Sequence, residues 1–242
     1  MDKSQSFEGQ DSYRVLRYAN GDLYEGEVKD GKPHGRGVLR YANGDVHKGY
    51  FKNGQFDKYG MVSYTDGTVF EGDYANGDKN GFGIFRFAGG DVFEGEFKDG
   101  SPNGRGVYTF ADGAVFKGKY VNGKKSGLGV FRYADGSVFE GEYKDDEPNG
   151  HGVFRYASGN VYDGGFKNGL ESGHGIYRYA NGNVFEGEHK DGERNGRGIY
   201  RRTDGTVFEG TFKDGQLHGE GVMCLANGDI KRGRWENGVF QD

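Results

Sequence analysis

Proline and cysteine are scarce in this sequence, and each scarcity excludes a class of protein. The 242 residues include 3 prolines and a single cysteine, Cys224. With so few prolines the chain cannot be collagen or a polyproline tract, although 49 of its residues are glycine. One cysteine permits no internal disulfide, which favours a reducing compartment.

Long apolar runs and an excess of one charge are also missing. No stretch approaches the ~18 apolar residues of a membrane-spanning helix. The first ten residues, MDKSQSFEGQ, lack the apolar segment of a signal peptide. The 32 basic and 37 acidic residues give a net charge of −5, which argues against a general nucleic-acid-binding or anionic-lipid-binding surface. These absences predict a cytoplasmic protein whose contact with a membrane, if it has one, is peripheral.

The sequence is instead dominated by a repeat of 23 residues. Full copies begin at Tyr18, Tyr41, Tyr64, Phe87, Phe110, Tyr133, Tyr156, Tyr179 and Arg202, and a truncated tenth begins at Leu225. A short fixed period is typical of repeat arrays. We therefore predict an N-terminal tail and half-repeat cap at 1–17, nine full repeats at 18–224, and a truncated tenth repeat with a C-terminal cap at 225–242.

Each copy contains two runs that favour β-strands. In the copy from Phe87 the runs are 91–98 and 106–110, both rich in β-branched and aromatic residues. Asn-Gly or Asp-Gly pairs such as Asn20-Gly21 precede the first run and predict hairpin turns, and 99–104 is predicted as a longer link. No helical period occurs. The fold class is predicted as all-β, an elongated single-sheet solenoid of antiparallel β-hairpins.

Alternation along the strands separates an aromatic face from a charged face. Phe93 and Phe97 share the aromatic face with glycine columns, and a glycine leaves room for a neighbouring ring to lie over the backbone. A single-layer sheet cannot bury both faces, so part of the aromatic face is predicted to form a partner groove. The predicted groove residues are Phe70, Phe93, Phe97, Phe116, Tyr120, Phe139, Tyr143, Tyr162, Phe166, Phe185, Phe208 and Phe212.

No set of residues in the sequence indicates catalysis or a cofactor. The glycine-rich turns lack the phosphate-loop pattern, and no helix follows them. Rows of carboxylates such as Glu94 and Glu96 are better explained by cross-strand pairs with basic residues than by a glycosidase site. His151 and His174 are one repeat apart, about 9.6 Å, too far to share a zinc ion. Because Cys224 also has no partner, we predict no catalytic residue, no metal and no cofactor.

The charged residues leave two interpretations open. An arginine column, at positions 40, 86, 132, 155, 178 and 201, is able to meet lipid phosphates or an acidic partner, but pairing with the glutamate rows is favoured. The copy from Phe110 is basic and the next copy is acidic; a second chain could pair with them in antiparallel register, but random variation on a solvated face is the favoured explanation. The residues predicted to contact an anionic lipid are Lys117, Lys119, Lys124, Lys125 and Arg132.

The recurring Y-x-G-x-x-x-x-G-x-x-x-G-x-G pattern resembles the MORN repeat (membrane occupation and recognition nexus). Residues 162–175, YDGGFKNGLESGHG, carry the resemblance most clearly, and it covers 18–242. Lys58 and Asp146 replace repeat glycines, Arg202 replaces the opening aromatic residue, and Lys231 replaces a ring of the Phe93 column. The last two changes predict weaker ring stacking toward the C-terminal end.

The resemblance implies a β-hairpin solenoid that serves as an interaction scaffold. Phospholipid or membrane association is the namesake property of the family, and binding of a partner helix in the aromatic groove and self-dimerisation also occur in it. Catalysis, where present, belongs to attached domains. We therefore predict a non-enzymatic scaffold that binds a protein partner or a second copy of itself, at a membrane or cytoskeletal structure. A peripheral phosphoinositide-binding tether is the alternative.

Overall fold

The structure of the protein, a computed structural model, describes residues 12–241. Within this range the chain forms 21 β-strands and no helix. The strands are β1 Ser12–Arg17, β2 Leu23–Lys29, β3 Lys32–Arg40, β4 Val46–Lys52, β5 Gln55–Ser63, β6 Val69–Ala75, β7 Asp78–Arg86, β8 Val92–Lys98, β9 Ser101–Thr109, β10 Val115–Val121, β11 Lys124–Arg132, β12 Val138–Lys144, β13 Glu147–Arg155, β14 Val161–Lys167, β15 Leu170–Arg178, β16 Val184–Lys190, β17 Glu193–Arg201, β18 Val207–Lys213, β19 Gln216–Cys224, β20 Ile230–Glu236 and β21 Val239–Gln241. Most of the tail predicted at the N-terminus lies outside the described residues.

The chain divides into two compact units, which are described separately. Residues 12–112 and 120–123 belong to the first unit, and residues 113–119 and 124–241 belong to the second. In the first unit β1 to β9 pair in sequence order, and in the second β11 to β21 do the same, every pair antiparallel. The predicted all-β fold of hairpin repeats is confirmed.

The tight turn and the longer loop of each repeat are exchanged relative to the sequence prediction. Strands β8 and β9 are joined by only Asp99 and Gly100, whose φ angles are +48° and +83°. Two successive residues with positive φ define a type I′ hairpin turn, which matches the twist of the strands it joins. The second strand therefore begins at Ser101 rather than at Gly106.

The predicted Asn-Gly hairpin lies instead in a longer loop. Between β1 and β2 the Tyr18 N–H donates to the Asp22 carbonyl (3.0 Å), and the Gly21 N–H donates to the Tyr18 carbonyl (3.0 Å). Gly21 has a φ of +94°, whereas Asn20 is not among the residues with positive φ. The Asn-Gly pair thus supplies one left-handed residue in a five-residue loop, so the prediction of a tight turn here is wrong.

Glycine columns allow one face of the sheet to be buried. Phe93 is 2% exposed because its ring lies flat against the glycines of its own strand and the next. A Cβ added at Gly106 would lie 2.6 Å from the Phe93 ring, and one added at Gly95 would lie 2.9 Å from it. Phe97 closes the other side in a T-shaped contact, with ring centres 5.3 Å apart. This face is called the ring face below, and the opposite one the back face.

Lys58 is a non-glycine residue at a position where the neighbouring copies have glycine. Its φ is +64°, and the equivalent Gly81 and Gly104 have φ of +113° and +118°. A side chain in the left-handed region is disfavoured by about 1–2 kcal/mol, although glycine also gives more freedom to the unfolded chain. We expect Lys58→Gly to stabilise the first unit by about 0.5–1 kcal/mol in urea unfolding. Lys58→Ala, which keeps the strained backbone, is the control and should give no gain; equal midpoints for the two variants would contradict the prediction.

Candidate interaction surfaces

The twelve rings predicted to line a partner groove are core residues. Their exposed fractions run from 0% to 6%, so their side chains are not available to a partner in this conformation. Sequence reasoning treated a single-layer sheet as unable to cover these rings. It missed that the glycines of the adjacent strand, together with the residues of the second strand, are enough to bury them. The prediction that these columns form the contact surface is corrected accordingly; partner binding on this side of the sheet stays a prediction.

Rings that are half-buried or, at Phe87, exposed lie beside that core and form a row in each unit, here called the ring ladder. In the first unit the ladder is Tyr64, Phe85, Phe87, Tyr108 and Phe110, with successive ring centres 4.5 to 6.4 Å apart. In the second unit it is Phe131, Tyr133, Phe154, Tyr156, Tyr177, Tyr179 and Tyr200, at 4.2 to 6.0 Å. Each ladder alternates between the second strand of a repeat and the loop that follows it.

Three cations at one repeat position are stacked on the rings of this face. The Lys79 ammonium lies 5.1 Å from the centre of the Phe70 ring and 5.2 Å from that of Phe85. The Lys125 ammonium lies 5.4 Å and 5.1 Å from two equivalent rings, and the Arg194 guanidinium lies 5.3 to 5.6 Å from three. Burial lowers the pKa of both lysines. Contacts of this geometry stabilise by ~0.5–2 kcal/mol each.

At the repeat position that these three cations share, the other copies have proline, an apolar residue or, in one copy, glutamate. The column reads Pro33, Phe56, Lys79, Pro102, Lys125, Pro148, Glu171, Arg194 and Leu217. Sequence reasoning placed this position in a turn and did not follow it from copy to copy. The change of charge from copy to copy along this column is the sequence signal that would have identified the position.

Glu171 is the acidic member of that column, and it is buried with a histidine. It is 6% exposed and His189 is 4% exposed; Glu171 Oε1 accepts a hydrogen bond from the Tyr156 hydroxyl (2.6 Å), and Oε2 lies 4.0 Å from His189 Nε2. The imidazole lies between Tyr162 and Phe185. Burial raises the pKa of Glu171 to about 7, although the Tyr156 hydrogen bond acts to lower it, and burial lowers the pKa of His189 to about 4. Both side chains therefore favour the uncharged form.

The five basic residues predicted to contact lipid do not share one face. Lys125 is half-buried on the ring face, and Lys124 pairs with Asp145 (3.6 Å). Because Lys117 and Lys119 alternate with core residues of β10, and Arg132 follows a ladder ring in β11, these three lie on the back face.

The predicted pairing of the arginine column with glutamate is confirmed at one position. Arg201 Nη1 lies 3.5 Å from Glu186 Oε2, whereas the other five arginines form no ion pair with any residue in 12–241. Glu94 and Glu96 likewise form no ion pair within that range; Glu96 accepts a hydrogen bond from the Arg105 backbone N–H (3.2 Å). The expectation that cross-strand ion pairs explain the glutamate rows is therefore wrong for these two residues.

A metal-ligand cluster and a membrane-spanning helix are both absent from the described residues. Between residues 12 and 241, no three His, Cys, Asp or Glu side chains come together as metal ligands would, and Cys224 is exposed and free. No helix of sufficient length and apolar character to cross a membrane occurs in the described residues.

These features define a tandem β-hairpin repeat protein with an aromatic core on one face. The MORN-repeat model matches residues 24–46, 70–92, 93–115, 116–138, 139–161, 162–184, 185–207 and 208–230. The chain therefore belongs to the MORN-repeat family. The copy between the first two matches contains His47 in the ring column and Lys58 at a glycine position. A search of curated proteins returned no significant match.

Among solved structures the chain is similar to TCP domains. The TCP10 domain of Danio rerio CPAP, in complex with a peptide of STIL, is 16% identical with a TM-score of 0.46, covering 94% of this chain and 97% of that one. The same domain in another structure is 17% identical with a TM-score of 0.46, covering 92% of this chain and 100% of that one. The Drosophila melanogaster SAS-4 TCP domain, in complex with a proline-rich motif of Ana2, is 12% identical with a TM-score of 0.34, covering 93% of this chain and 90% of that one. At such identities and TM-scores the likeness carries no conclusion about function.

Proposed function

We propose that this protein is a non-enzymatic MORN-repeat scaffold that binds a segment of a partner protein on its ring face. The observation that carries the proposal is the ring ladder, because it leaves a row of aromatic faces half-exposed next to a rigid core. Cytoplasmic localisation, attachment to a membrane or cytoskeletal structure, and association with a second copy belong to the same proposal.

The chemistry of the ladder suits a protein segment. Tyrosine and phenylalanine present large rigid surfaces at low entropic cost, and aromatic residues are enriched where partners bind. Tyr177 and Tyr200 also place hydroxyls at this surface, where they accept hydrogen bonds from the side chains of Asn160 and Asn183. The ladder thus offers apolar contact together with polar groups that can orient a peptide backbone.

A phospholipid tether is the second candidate, supported by three exposed cations on the back face, Lys117, Lys119 and Arg132. Two glutamates of β12, Glu140 and Glu142, face the same side of the sheet, directly opposite Val130 and Leu128. Mixed charges give this candidate less support than the ladder gives to a protein partner. Sedimentation with phosphoinositide vesicles at low salt, where peripheral electrostatic binding is strongest, is its test.

The test of the protein-partner proposal uses two matched positions in the second unit. A photo-cross-linking amino acid is placed at Phe154 in the ladder or at Leu128 on the back face, which is 75% exposed. The partner captured at Phe154 is identified by mass spectrometry, and its binding segment is synthesised. We expect Tyr133→Ala with Phe154→Ala to weaken that segment's affinity at least tenfold, as expected when two rings of a contact centre are lost.

Leu128→Ala is the control and should change the affinity less than twofold. Unfolding midpoints of all variants establish that the folded fraction is unchanged at the assay temperature. Equal cross-linking from Phe154 and Leu128, or full affinity in the double variant, would refute binding on the ring face.

A further inference from the structure

The back face of the first unit carries an exposed apolar strip centred on Phe82. Gly83 faces the ring face, since a Cβ there would lie 2.5 Å from the Phe70 ring, so its neighbour Phe82 points to the back face. Phe82 is 52% exposed and Tyr59, at the same position one repeat earlier, is 48% exposed. Ile84 and Met61, two residues farther along their strands, are half-buried beside them.

Four carboxylates flank this strip on the two neighbouring strands. On β6, Glu71 lies directly opposite both Met61 and Ile84. On β8, Glu94 is opposite Ile84 and Glu96 is opposite Phe82. Asp73 completes the set, and its Oδ2 accepts a hydrogen bond from the Phe82 backbone N–H (3.1 Å). Adjacent strands are about 4.8 Å apart, so the acidic rows of β6 and β8 are separated by about 9.6 Å, with Phe82 and Ile84 of β7 between them.

Two cations of the first unit share the back face with these carboxylates: Lys48 of β4, directly opposite Met61, and Arg105 of β9, whose backbone N–H donates to Glu96. None of the four carboxylates forms an ion pair with a residue in the described range, although Glu71 accepts a hydrogen bond from the Tyr59 hydroxyl. Cations on the same strands, Arg86 and Lys98, lie at the strand ends. The second unit differs, because Lys117 and Lys119 replace the glutamates of β8 in the next copy.

We propose that the strip is a second docking surface, which binds an extended basic segment of a partner protein. Lysine or arginine side chains of the segment would bind the two acidic rows, and its apolar side chains would cover Phe82 and Ile84. Cations also stack favourably on exposed rings such as Tyr59 and Phe82. The exposed rings mark a contact surface and the unpaired carboxylates select a basic occupant. This surface is on the opposite side of the sheet from the ring ladder and does not depend on it.

A fluorescent peptide tests the proposal directly. The probe is an eight-residue peptide in which pairs of lysines alternate with pairs of leucines, so that each face of the extended peptide presents both residue types. The matched probe has glutamate in place of lysine, and binding to the full chain is followed by fluorescence anisotropy. We expect the lysine probe to bind and the glutamate probe not to bind, with affinity falling as salt is raised. Glu71→Gln with Glu94→Gln should weaken the lysine probe at least tenfold, and Phe82→Ala about fivefold.

The control variant removes two charges from the back face of the second unit, Glu140→Gln with Glu209→Gln, and should alter binding less than twofold. Asp73 and Glu96 are left intact because they bond backbone N–H groups. Equal losses in the two double variants would show nonspecific attraction and overturn the proposal. The proposal would also be overturned if the parent chain sedimented as a dimer and the Glu71→Gln, Glu94→Gln double variant as a monomer. The occupant of the strip would then be a second copy of the chain.

Discussion

Replacing Gly152 by alanine should destabilise the second unit by about 2–3 kcal/mol, in the upper part of the range of about 1–3 kcal/mol found when a packed core must accept an extra methyl group. A Cβ at Gly152 would lie 2.6 Å from two atoms of the Phe139 ring. That ring is fully buried and is held from the other side by Tyr143 and Phe166 in T-shaped contacts. It has no space to retreat, so the strand must move instead. The measurement is urea unfolding of the variant and the parent chain.

A double-mutant cycle identifies the cause. In a Phe139→Leu background the ring is absent, and Gly152→Ala should then cost less than half of what it costs in the parent chain. Gly89→Ala is the matched control, because a Cβ there meets nothing within 4 Å and the residue is not in the left-handed region. It should be neutral. Additive effects of the Gly152 and Phe139 substitutions would show that ring-on-glycine packing is not the reason for the glycine columns.

Removing one member of the Glu171–His189 pair should reveal opposite pH dependences. In His189→Phe, Glu171 remains buried with a pKa near 7 against an ordinary value of 4.5, so between these values the folded chain holds a proton that the unfolded chain has released. Stability should therefore fall by about 2 kcal/mol from pH 5 to pH 7, relative to the parent chain.

Glu171→Gln should show the reverse trend. His189 then has a pKa near 4 in the folded chain against an ordinary value of 6.5, so between these values the unfolded chain holds the extra proton. Stability should rise by about 2 kcal/mol from pH 5 to pH 7. In the parent chain the two contributions largely cancel. Between about pH 5 and pH 6.5 the folded chain holds one proton on Glu171, and the unfolded chain holds one proton on His189.

Urea unfolding at pH 5, 6 and 7 of the parent, both single variants and the double variant measures these slopes. The double variant is the control and should follow the parent. The same sign of slope in both single variants would contradict independent burial of the two groups. Phenylalanine is a suitable replacement for His189 because the neighbouring copies have Phe166 and Phe212 at this position.

Those parts of the fold that repeat in every copy could be predicted from the sequence. The 23-residue period, the alternation of Phe93 with Gly95, and the glycine columns each recur about ten times, so they specify the all-β hairpin repeat and its two faces. The turn assignment failed because Asn-Gly and Asp-Gly occur in both links of a repeat. Which link is the tight one depends on whether one or two residues take positive φ, and that is decided by the hydrogen bonds of the flanking strands.

The surfaces were less predictable because they depend on contacts between copies. The burial of Phe116 or Phe185 follows from the backbone of the adjacent strand, which a single repeat does not contain. Nothing in the sequence distinguishes Glu171, because its burial with His189 arises only from the pairing of two neighbouring repeats. The unpaired state of Glu94 was missed for the same reason, because the residues opposite it are apolar rather than basic.

The alternation of each strand between a ring face and a back face has an evolutionary consequence. Core residues such as Phe93 and Gly95 are fixed by packing, whereas their immediate neighbours Val92 and Glu94 face away from that packing. Substitutions at the second set can therefore accumulate copy by copy without disturbing the architecture. An array of this kind can change its binding specificity one repeat at a time while the spacing and packing of its core stay constant.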